Sequence, residues 1–420
     1  MKSISLIVLA ALVAGIVVGA LVRAEAPQLT EAAGVVEAFG GLWLNALSMT
    51  VVPLVVSLLI TGIASVADAA KAGGLVARAV LLFSVLIVFA AVFGVAVTQG
   101  LLALWPVDRE VAAAFIASVG AEAVVINEPP SFVAWLRGLA PANPVSAAAN
   151  NQILQLVVFA VFFGFAATKL PAHMRGQLAG FFRAVSEAMI VVVRWILLAG
   201  PVGVFALALG VGLRAGFGAA GTLVQYVIIV SAATLGITIV AWLIAVIWGR
   251  QPIARFAAAA TPVWAIAAST QSSLASLPAM LEAALRGLHI PARIADVVLP
   301  LAVAVFRFTS PVANLAVCFF VAHVYGVEPT LLQIAGAIVV AFGVSVGSVG
   351  LPGQISFVAS IAPICMSLGV PFELLGILLA VEVIPDIFRT LGNVTADLAA
   401  TTVLARNEPR EDADRPTETA

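Results

Sequence analysis

Charged residues are scarce in this sequence of 420 residues. Asp, Glu, Lys and Arg make up 10% of it, whereas soluble domains carry roughly 25%. Hydrophobic residues make up 63%, and the mean hydropathy is +1.17. So little polar surface could not cover a water-facing protein of this size, and the composition is typical of a polytopic membrane protein. The net charge of −1 provides no basic face, so nucleic acid is not an expected partner.

Cysteine and histidine are also rare, and their placement excludes several kinds of site. The only two cysteines, Cys318 and Cys365, lie in apolar stretches, where buried thiols are expected rather than a disulfide. The three histidines are scattered, and the sequence has no HExxH motif, Ser/His dyad or catalytic aspartate pair. We therefore expect no metal site, no cofactor and no enzymatic activity.

Long apolar runs dominate what remains. A membrane-spanning helix needs about 20 apolar residues, and eight segments are long enough. The first run is longer than the apolar region of a signal peptide, so it is predicted to be a true membrane-spanning helix. Basic residues in alternate loops place both termini in the cytoplasm, and the charged tail 407–420 is expected to be disordered. The eight segments are 3–22, 38–67, 79–107, 138–168, 195–213, 215–249, 294–326 and 371–406.

Two further apolar segments, 252–288 and 329–368, are interrupted by turn-rich centres at 269–278 and 343–353. Irregular backbone at membrane depth is tolerated only beside protein or a water-filled cavity, and paired interrupted segments are typical of a transporter's binding site. The alternative is a pair of exposed loops. Loops usually carry charge, and neither centre does, which favours two re-entrant helical hairpins.

A polar face is predicted on the last span. Steps of four, three, four and four residues place Glu382, Asp386, Arg389, Asn393 and Asp397 on one side of a helix. Each ionisable group at a membrane helix centre costs at least about 2.5–3.5 kcal/mol, so such groups face a cavity and usually mark function. A structural salt-bridge ladder is the alternative, but two acids four residues apart would repel each other.

The seventh run is also interrupted, within residues 306–311, where Pro311 removes a backbone donor and is expected to unwind the helix.

The segment from Asp386 to Asp397 reads D-x-x-R-T-x-x-N-V-x-x-D. Together with Ser272-Ser273 and the Gly/Pro-rich run 347–353, it resembles the glutamate transporter family, the dicarboxylate/amino acid:cation symporters. The resemblance covers most of the chain. It implies an all-α polytopic membrane protein with eight transmembrane helices, two re-entrant hairpins and inverted repeats. It also implies a homotrimer that transports by an elevator mechanism. The implied scaffold is 1–76 and 107–213, and the implied transport domain is 77–106 and 214–406.

The same resemblance implies a substrate site in the transport domain. In the family, the counterpart of Arg389 pairs with a side-chain carboxylate and that of Asp386 with the ammonium. Thr390 and Asn393 match positions that hold the α-carboxylate and the amine. Asp397 and Glu382 are the candidates for cation coupling. The predicted substrate-binding residues are Ser272, Ser273, Arg307, Ser310, Gly350, Leu351, Gly353, Asp386, Arg389, Thr390 and Asn393.

One family motif is missing. Sodium-coupled members carry N-M-D-G-T where this chain has Phe306, Arg307, Phe308, Thr309 and Ser310. The oxygen ligands that Na⁺ prefers are absent from the two phenylalanines, so Na⁺-independent transport is expected. Coupling to protons through Glu382 or Asp386, exchange and uniport remain open. Arg307 adds a permanent positive charge that can offset Asp397 or the substrate; the alternative is that it only pairs with Asp397 to hold the broken helix.

The sequence therefore predicts a transporter of aspartate or glutamate in the plasma (inner) membrane. Its expected partners are the acidic amino acid, a proton as the candidate coupling ion, the lipid bilayer and two further copies of the chain. A C4-dicarboxylate carrier is the first alternative, although such a substrate offers Asp386 no ammonium. A channel-like anion pore is the second, although paired hairpin tips suit an alternating gate better than an open filter.

Overall fold

The computed structural model describes residues 2–71, 73–118, 132–216, 218–347 and 353–406, and every element in these ranges is helical. The tail for which disorder is expected, 407–420, lies outside the described residues. Short π-helical turns, Ile244–Trp248 and Ala283–Gly287, extend α11 and α13, and a 3₁₀ turn, Pro27–Leu29, precedes α2. The helices are α1 (Lys2–Glu25), α2 (Thr30–Ser48), α3 (Val51–Lys71), α4 (Gly74–Leu104), α5 (Arg109–Ser118), α6 (Phe132–Arg137), α7 (Pro144–Ala149), α8 (Ile153–Ala167), α9 (Ala172–Leu198), α10 (Gly200–Ala215), α11 (Gly218–Leu243), α12 (Ile253–Thr270), α13 (Ser273–Glu282), α14 (Ala292–Val305), α15 (Ser310–Tyr325), α16 (Leu331–Gly347), α17 (Gly353–Leu368), α18 (Leu375–Val381) and α19 (Val383–Ala405).

Five helical segments of the described chain are long and apolar enough to cross a membrane, and α9 with α10 would make a sixth. These two helices meet at a bend of 59°. Helix α9 begins at Ala172, well before the apolar run predicted from residue 195, because its first half is amphipathic and hydropathy alone misses it. The run 38–67 is likewise divided between α2 and α3, with a break at Met49 and Thr50.

Glycines allow α1 to pack closely along α10. A Cβ atom on Gly15 would lie 2.6 Å from the carbonyl oxygen of Phe205 and 2.7 Å from Cβ of Ala208. Glycines 19 and 212 meet the opposite backbone at similarly close range. Membrane helices commonly associate through small residues in this way, because lipid supplies no hydrophobic force between them. The second half of α1 is therefore packed closely against α10.

The first interrupted segment is a pair of helices joined by a very short turn. Helix α12 ends at Thr270 and α13 begins at Ser273, so the turn is narrower than the predicted 269–278. Pro278 lies inside α13, and Gln271 adopts a left-handed conformation with φ of 53°. In the second segment, residues 343–347 were expected in the turn but belong to α16, because none of them interrupts the helical hydrogen bonding.

The predicted break in the seventh run is confirmed. Helix α14 ends at Val305 and α15 begins at Ser310, which leaves residues 306–309 unwound. Pro311 lies in the first turn of α15, where its missing N–H removes no helical hydrogen bond. Helix α15 is buried over almost its whole length and contacts α4, α11, α16, α17 and α19. The break therefore lies at the centre of the molecule.

Both cysteines are buried free thiols, as predicted. Cys318 on α15 and Cys365 on α17 bring their sulfur atoms within 3.2 Å of each other. The Cys318 thiol also lies 3.6 Å from the carbonyl oxygen of Ile361.

The close approach of α1 and α10 gives a prediction about stability. Gly15→Val should lower the melting temperature (Tm), because the added carbons would collide with the backbone of α10, and overpacking typically costs about 1–3 kcal/mol. The matched control is Gly100→Val, since Gly100 in α4 has open space around it. Thermal unfolding in detergent, followed by tryptophan fluorescence, measures both. An unchanged Tm for Gly15→Val would contradict the packing described.

Candidate functional site

The predicted polar face of α19 is buried inside the protein. Glu382, at the start of the helix, is 0% exposed, and Asp397, near its far end, is 1% exposed. Asp386, Arg389 and Asn393 between them are equally enclosed. Helices α11, α12, α13 and α14 pack around α19. Charged groups in such a place are costly unless they are paired, so their partners define what the site can do.

Glu382 and Arg389 form a buried ion pair. The guanidinium Nη2 donates to Glu382 Oε1 at 2.7 Å. The second carboxylate oxygen, Oε2, accepts the hydroxyl proton of Tyr226 at 2.5 Å. Tyr226 lies on α11 and is fully buried. Both oxygens of Glu382 are thus held, one by the cation and one by a neighbouring helix.

Asp386 lies on the other side of the same guanidinium. Its Oδ1 is 4.0 Å from Arg389 Nε, and its carbonyl accepts a hydrogen bond from the Thr390 hydroxyl at 2.9 Å. Arg389 therefore lies between two carboxylates, and the repulsion expected between Glu382 and Asp386 is offset by its charge. The salt-bridge ladder is thus partly present, with Arg389 at its centre and its Nε atom without a hydrogen bond among the described residues.

The unwound residues 306–309 are tied to α19 through Asn393. The backbone N–H of Thr309 donates to Asn393 Oδ1 at 3.0 Å, and the Thr309 hydroxyl donates to the carbonyl of Arg389 at 2.8 Å. Ser310 is buried at the start of α15, and its N–H donates to the carbonyl of Arg307 at 3.1 Å. The broken helix therefore sits directly against the polar face.

Arg307 and Asp397 are both incompletely satisfied. Neither carboxylate oxygen of Asp397, nor Nε of Arg307, has a hydrogen-bond partner among the described residues. Arg307 nevertheless lies within electrostatic reach of Asp386, Arg389 and Asp397. Asp397 therefore makes no direct hydrogen bond with Arg307, and the two groups interact only through their charges.

The phenylalanines of the altered motif form an apolar cluster. Phe306 stacks on Phe83 of α4 with ring centroids 4.4 Å apart and planes 13° from parallel. Phe308 lies 5.7 Å from Phe306, and both are buried. Aromatic faces therefore occupy positions where the sodium-coupled pattern would place an asparagine and an aspartate.

The structure describes only some of the substrate-binding residues predicted in the two hairpins. Ser272 caps α13 by accepting the N–H of Ala275 at 3.2 Å, and Ser273 is the first residue of that helix. Gly353 begins α17, while Gly350 and Leu351 lie outside the described residues.

Two site residues escaped the sequence analysis. Tyr226 supports Glu382, and Gln271 at the hairpin turn donates its Nε2 to the carbonyl of Val383 at 2.9 Å. The signal for Tyr226 was present, since it is one of only two tyrosines and stands in a helix without charged residues. Nothing in the sequence pairs it with Glu382, which is far away along the chain.

Comparison with known proteins shows the family of the chain. The model of the sodium:dicarboxylate symporter family matches residues 4–407. A proton/glutamate-aspartate symporter of Escherichia coli is 29% identical, with 89% of this chain and 85% of the relative covered. Human neutral amino acid transporter B(0) is 30% identical, with 93% and 78% covered. A C4-dicarboxylate transport protein of Rhodopseudomonas palustris is 28% identical, with 95% and 88% covered. The chain therefore belongs to the sodium:dicarboxylate symporter family and is a multi-pass membrane transporter.

Proposed function

We propose that the protein is a secondary transporter that carries aspartate or glutamate across the plasma membrane by an elevator mechanism. The observation that carries this proposal is the buried pair of Arg389 and Asp386 beside the unwound residues 306–309. A cation and an anion held side by side at membrane depth suit a solute that has both a side-chain carboxylate and an ammonium. The relative in Escherichia coli, named for glutamate and aspartate, supports the same solute class.

The proposed contacts follow from the chemistry of the groups gathered at this site. Arg389 uses Nη2 for Glu382, and its Nε, 4.0 Å from Asp386 Oδ1, makes no hydrogen bond among the described residues, so the guanidinium can still receive a carboxylate. Asp386 would hold the ammonium, and Thr390 and Asn393 would hold the α-carboxylate and the amine. Ser272, Ser273 and Ser310 would complete the site from the first hairpin and the broken helix. Gly350, Leu351 and Gly353 would close it from the second hairpin.

Transport is proposed to be independent of Na⁺. Phe306 and Phe308 offer no oxygen ligand, and their contact with Phe83 fills the space with aromatic carbon. Arg307 supplies instead a charge that is effectively always present, and it lies near Asp386 and Asp397. Coupling would then be to protons, with Glu382 or Asp386 as carrier and Asp397 as a further candidate, or the protein would work as an exchanger or uniporter.

The proposed architecture has eight spans, re-entrant hairpins α12–α13 and α16–α17, and three copies of the chain. Residues 1–76 and 107–213 would form the scaffold, and 77–106 and 214–406 the moving domain, with both termini in the cytoplasm. An apolar cavity of 430 Å³ supports this division, since Ile63 and Phe165 line it from the scaffold side and Phe83 and Phe342 from the other. A loosely filled apolar boundary would offer little resistance to sliding.

A C4-dicarboxylate carrier is the second candidate, favoured by the relative from Rhodopseudomonas palustris. Uptake of labelled aspartate into liposomes, competed by glutamate and by succinate, separates the two candidates. Saturable uptake would also exclude a channel-like pore. Stronger competition by succinate than by glutamate would overturn the acidic amino acid proposal, because succinate has no ammonium for Asp386.

For the proposed function, the first prediction concerns Arg389. Arg389→Ala should weaken aspartate binding by more than about a hundredfold, since losing one partner of a buried charge pair typically costs about 3–5 kcal/mol. The control is Arg286→Ala, because Arg286 is an exposed arginine paired with Glu282 at 3.1 Å. The double variant Arg389→Met/Glu382→Gln should recover stability but not binding. Near-normal affinity in folded Arg389→Ala, measured by calorimetry, would remove this residue from the site.

Tyr226 gives the second prediction. Tyr226→Phe should lower both Tm and aspartate affinity, because a hydrogen bond to a charged group contributes about 1.5–3 kcal/mol. Tyr325→Phe is the matched control. Its hydroxyl is buried without a hydrogen-bond partner among the described residues, so its loss should be neutral. Equal effects of the two substitutions would contradict the role given to Tyr226.

The third prediction concerns the coupling ion. Aspartate affinity should be the same in Na⁺ and choline buffers of matched ionic strength, and uptake should be tested with Na⁺, K⁺ and pH gradients imposed one at a time. A tenfold gain in Na⁺ would correspond to about 1.4 kcal/mol of coupling and would refute the proposal. Arg307→Met should weaken binding without restoring a response to Na⁺, because the neighbouring phenylalanines still lack oxygen atoms.

A further inference from the structure

A second polar pocket lies at one end of the molecule, away from the site described above. It has a volume of 240 Å³ and is formed where three elements end: the π-helical turn after α11, the π-helical turn after α13, and the last turn of α19. Arg250, His289 and Arg406 line it, together with Gln251 and Thr402, and none of its lining residues is acidic. A pocket lined in this way favours an anion.

Two of these basic residues adopt a conformation that side chains normally avoid. Arg250 and His289 have φ of 54° and 52°, in the left-handed region where glycine is preferred. The comparable positions at the ends of α15 and α17 are Gly326 and Gly369, with φ of 66° and 72°. Glycine thus closes those two helices, while a basic residue closes each of the two that border the pocket. A basic side chain therefore stands at both positions that border the pocket, where glycine would fit the backbone without strain.

The two turns also share one hydrogen-bond pattern, which directs both basic residues to the same place. The N–H groups of Gln251 and Ile290 each reach back six residues, to the carbonyls of Ala245 and Ala284, at 3.1 and 2.9 Å. Helices α12 and α14 then begin after Pro252 and Pro291, without a side-chain cap. The positive ends of these two helix dipoles add positive potential at this end of the molecule.

Gln251 provides an independent sign of a missing ligand. It is 6% exposed, and its Oε1 is buried without a hydrogen-bond partner among the described residues. The amide oxygen and nitrogen are interchangeable by a flip of the side chain, so this group can offer either a donor or an acceptor to a molecule in the pocket. Partly protonated inorganic phosphate uses both, whereas a phosphodiester uses the donor.

We infer that this pocket binds a phosphate group. Arginine guanidinium groups match phosphate oxygens in geometry and charge, and 240 Å³ has room for the phosphate and part of its substituent. Under the proposed orientation the pocket faces the cytoplasm, where anionic lipid headgroups and free phosphate both occur. Binding would hold the ends of α11, the first hairpin and α19 together. The inference goes beyond the proposed transport function and does not depend on it.

The test measures protection of the full-length protein by two phosphate sources. In one arm, Tm is followed with increasing inorganic phosphate against chloride of matched ionic strength. In the other, phosphatidylglycerol nanodiscs are compared with phosphatidylcholine nanodiscs. A ligand that binds only the folded state raises Tm with its concentration. A rise in the first arm identifies free phosphate as sufficient, and a rise confined to the second identifies a lipid headgroup; either supports the inference.

Variants separate binding from a structural role. Arg250→Gly should keep or raise the Tm without ligand, because the strain at φ 54° is removed. It should nevertheless weaken phosphate binding about tenfold or more, as should Arg406→Gln. Arg286→Gln removes an exposed arginine that does not line the pocket and should respond like wild type. No protection of the wild type in either arm, or protection kept by the Arg250→Gly/Arg406→Gln variant, would overturn the inference. So would a lower ligand-free Tm for Arg250→Gly.

Discussion

The need to keep a guanidinium charged inside a membrane protein governs the arrangement of the core. Arg389 is stable there because Glu382 lies 2.7 Å from it, and Glu382 in turn is held by the hydroxyl of Tyr226. Burying any one of these groups without the others would be costly, since buried charges need both a partner and satisfied hydrogen bonds. These two interactions hold α11 against the start of α19. They also explain why α12, α13 and α14 must enclose α19 on its other sides.

The broken helix α14–α15 depends on the same principle at the level of the backbone. Unwound chain exposes N–H and C=O groups that lipid cannot satisfy. Asn393 and the carbonyl of Arg389 take up the N–H and hydroxyl of Thr309, so the polar face of α19 stabilises the break as well as the charges. At the same break, the ring of Phe306 stacks on that of Phe83 in α4. The residues of the altered motif thus combine a helix break with aromatic packing.

Local sequence patterns predicted much of this structure. Contacts between residues that are distant in the sequence could not be predicted from such patterns. The spacing from Glu382 to Asp397 gave the buried face, and Pro311 gave the break at residues 306–309. The interaction of Arg389 with Glu382 rather than with Asp386 alone was missed, because a seven-residue separation on a helix seldom brings side chains together unless they are long. The bend between α9 and α10 and the break between α2 and α3 were missed because hydropathy records composition, not direction. Tyr226 was missed because its partner is on another helix.

The two thiols have a practical consequence for spectroscopy on this protein. Cys318 and Cys365 are 0% exposed and are the only cysteines in the sequence. Maleimide dyes and nitroxide reagents react with accessible thiolates, and deeply buried thiols are inert to them. The two natural cysteines are therefore not expected to react with these labels. A single cysteine introduced at the surface would then be the labelled position. The environment of that label in a bilayer can thus be measured without disturbing the contact between α15 and α17.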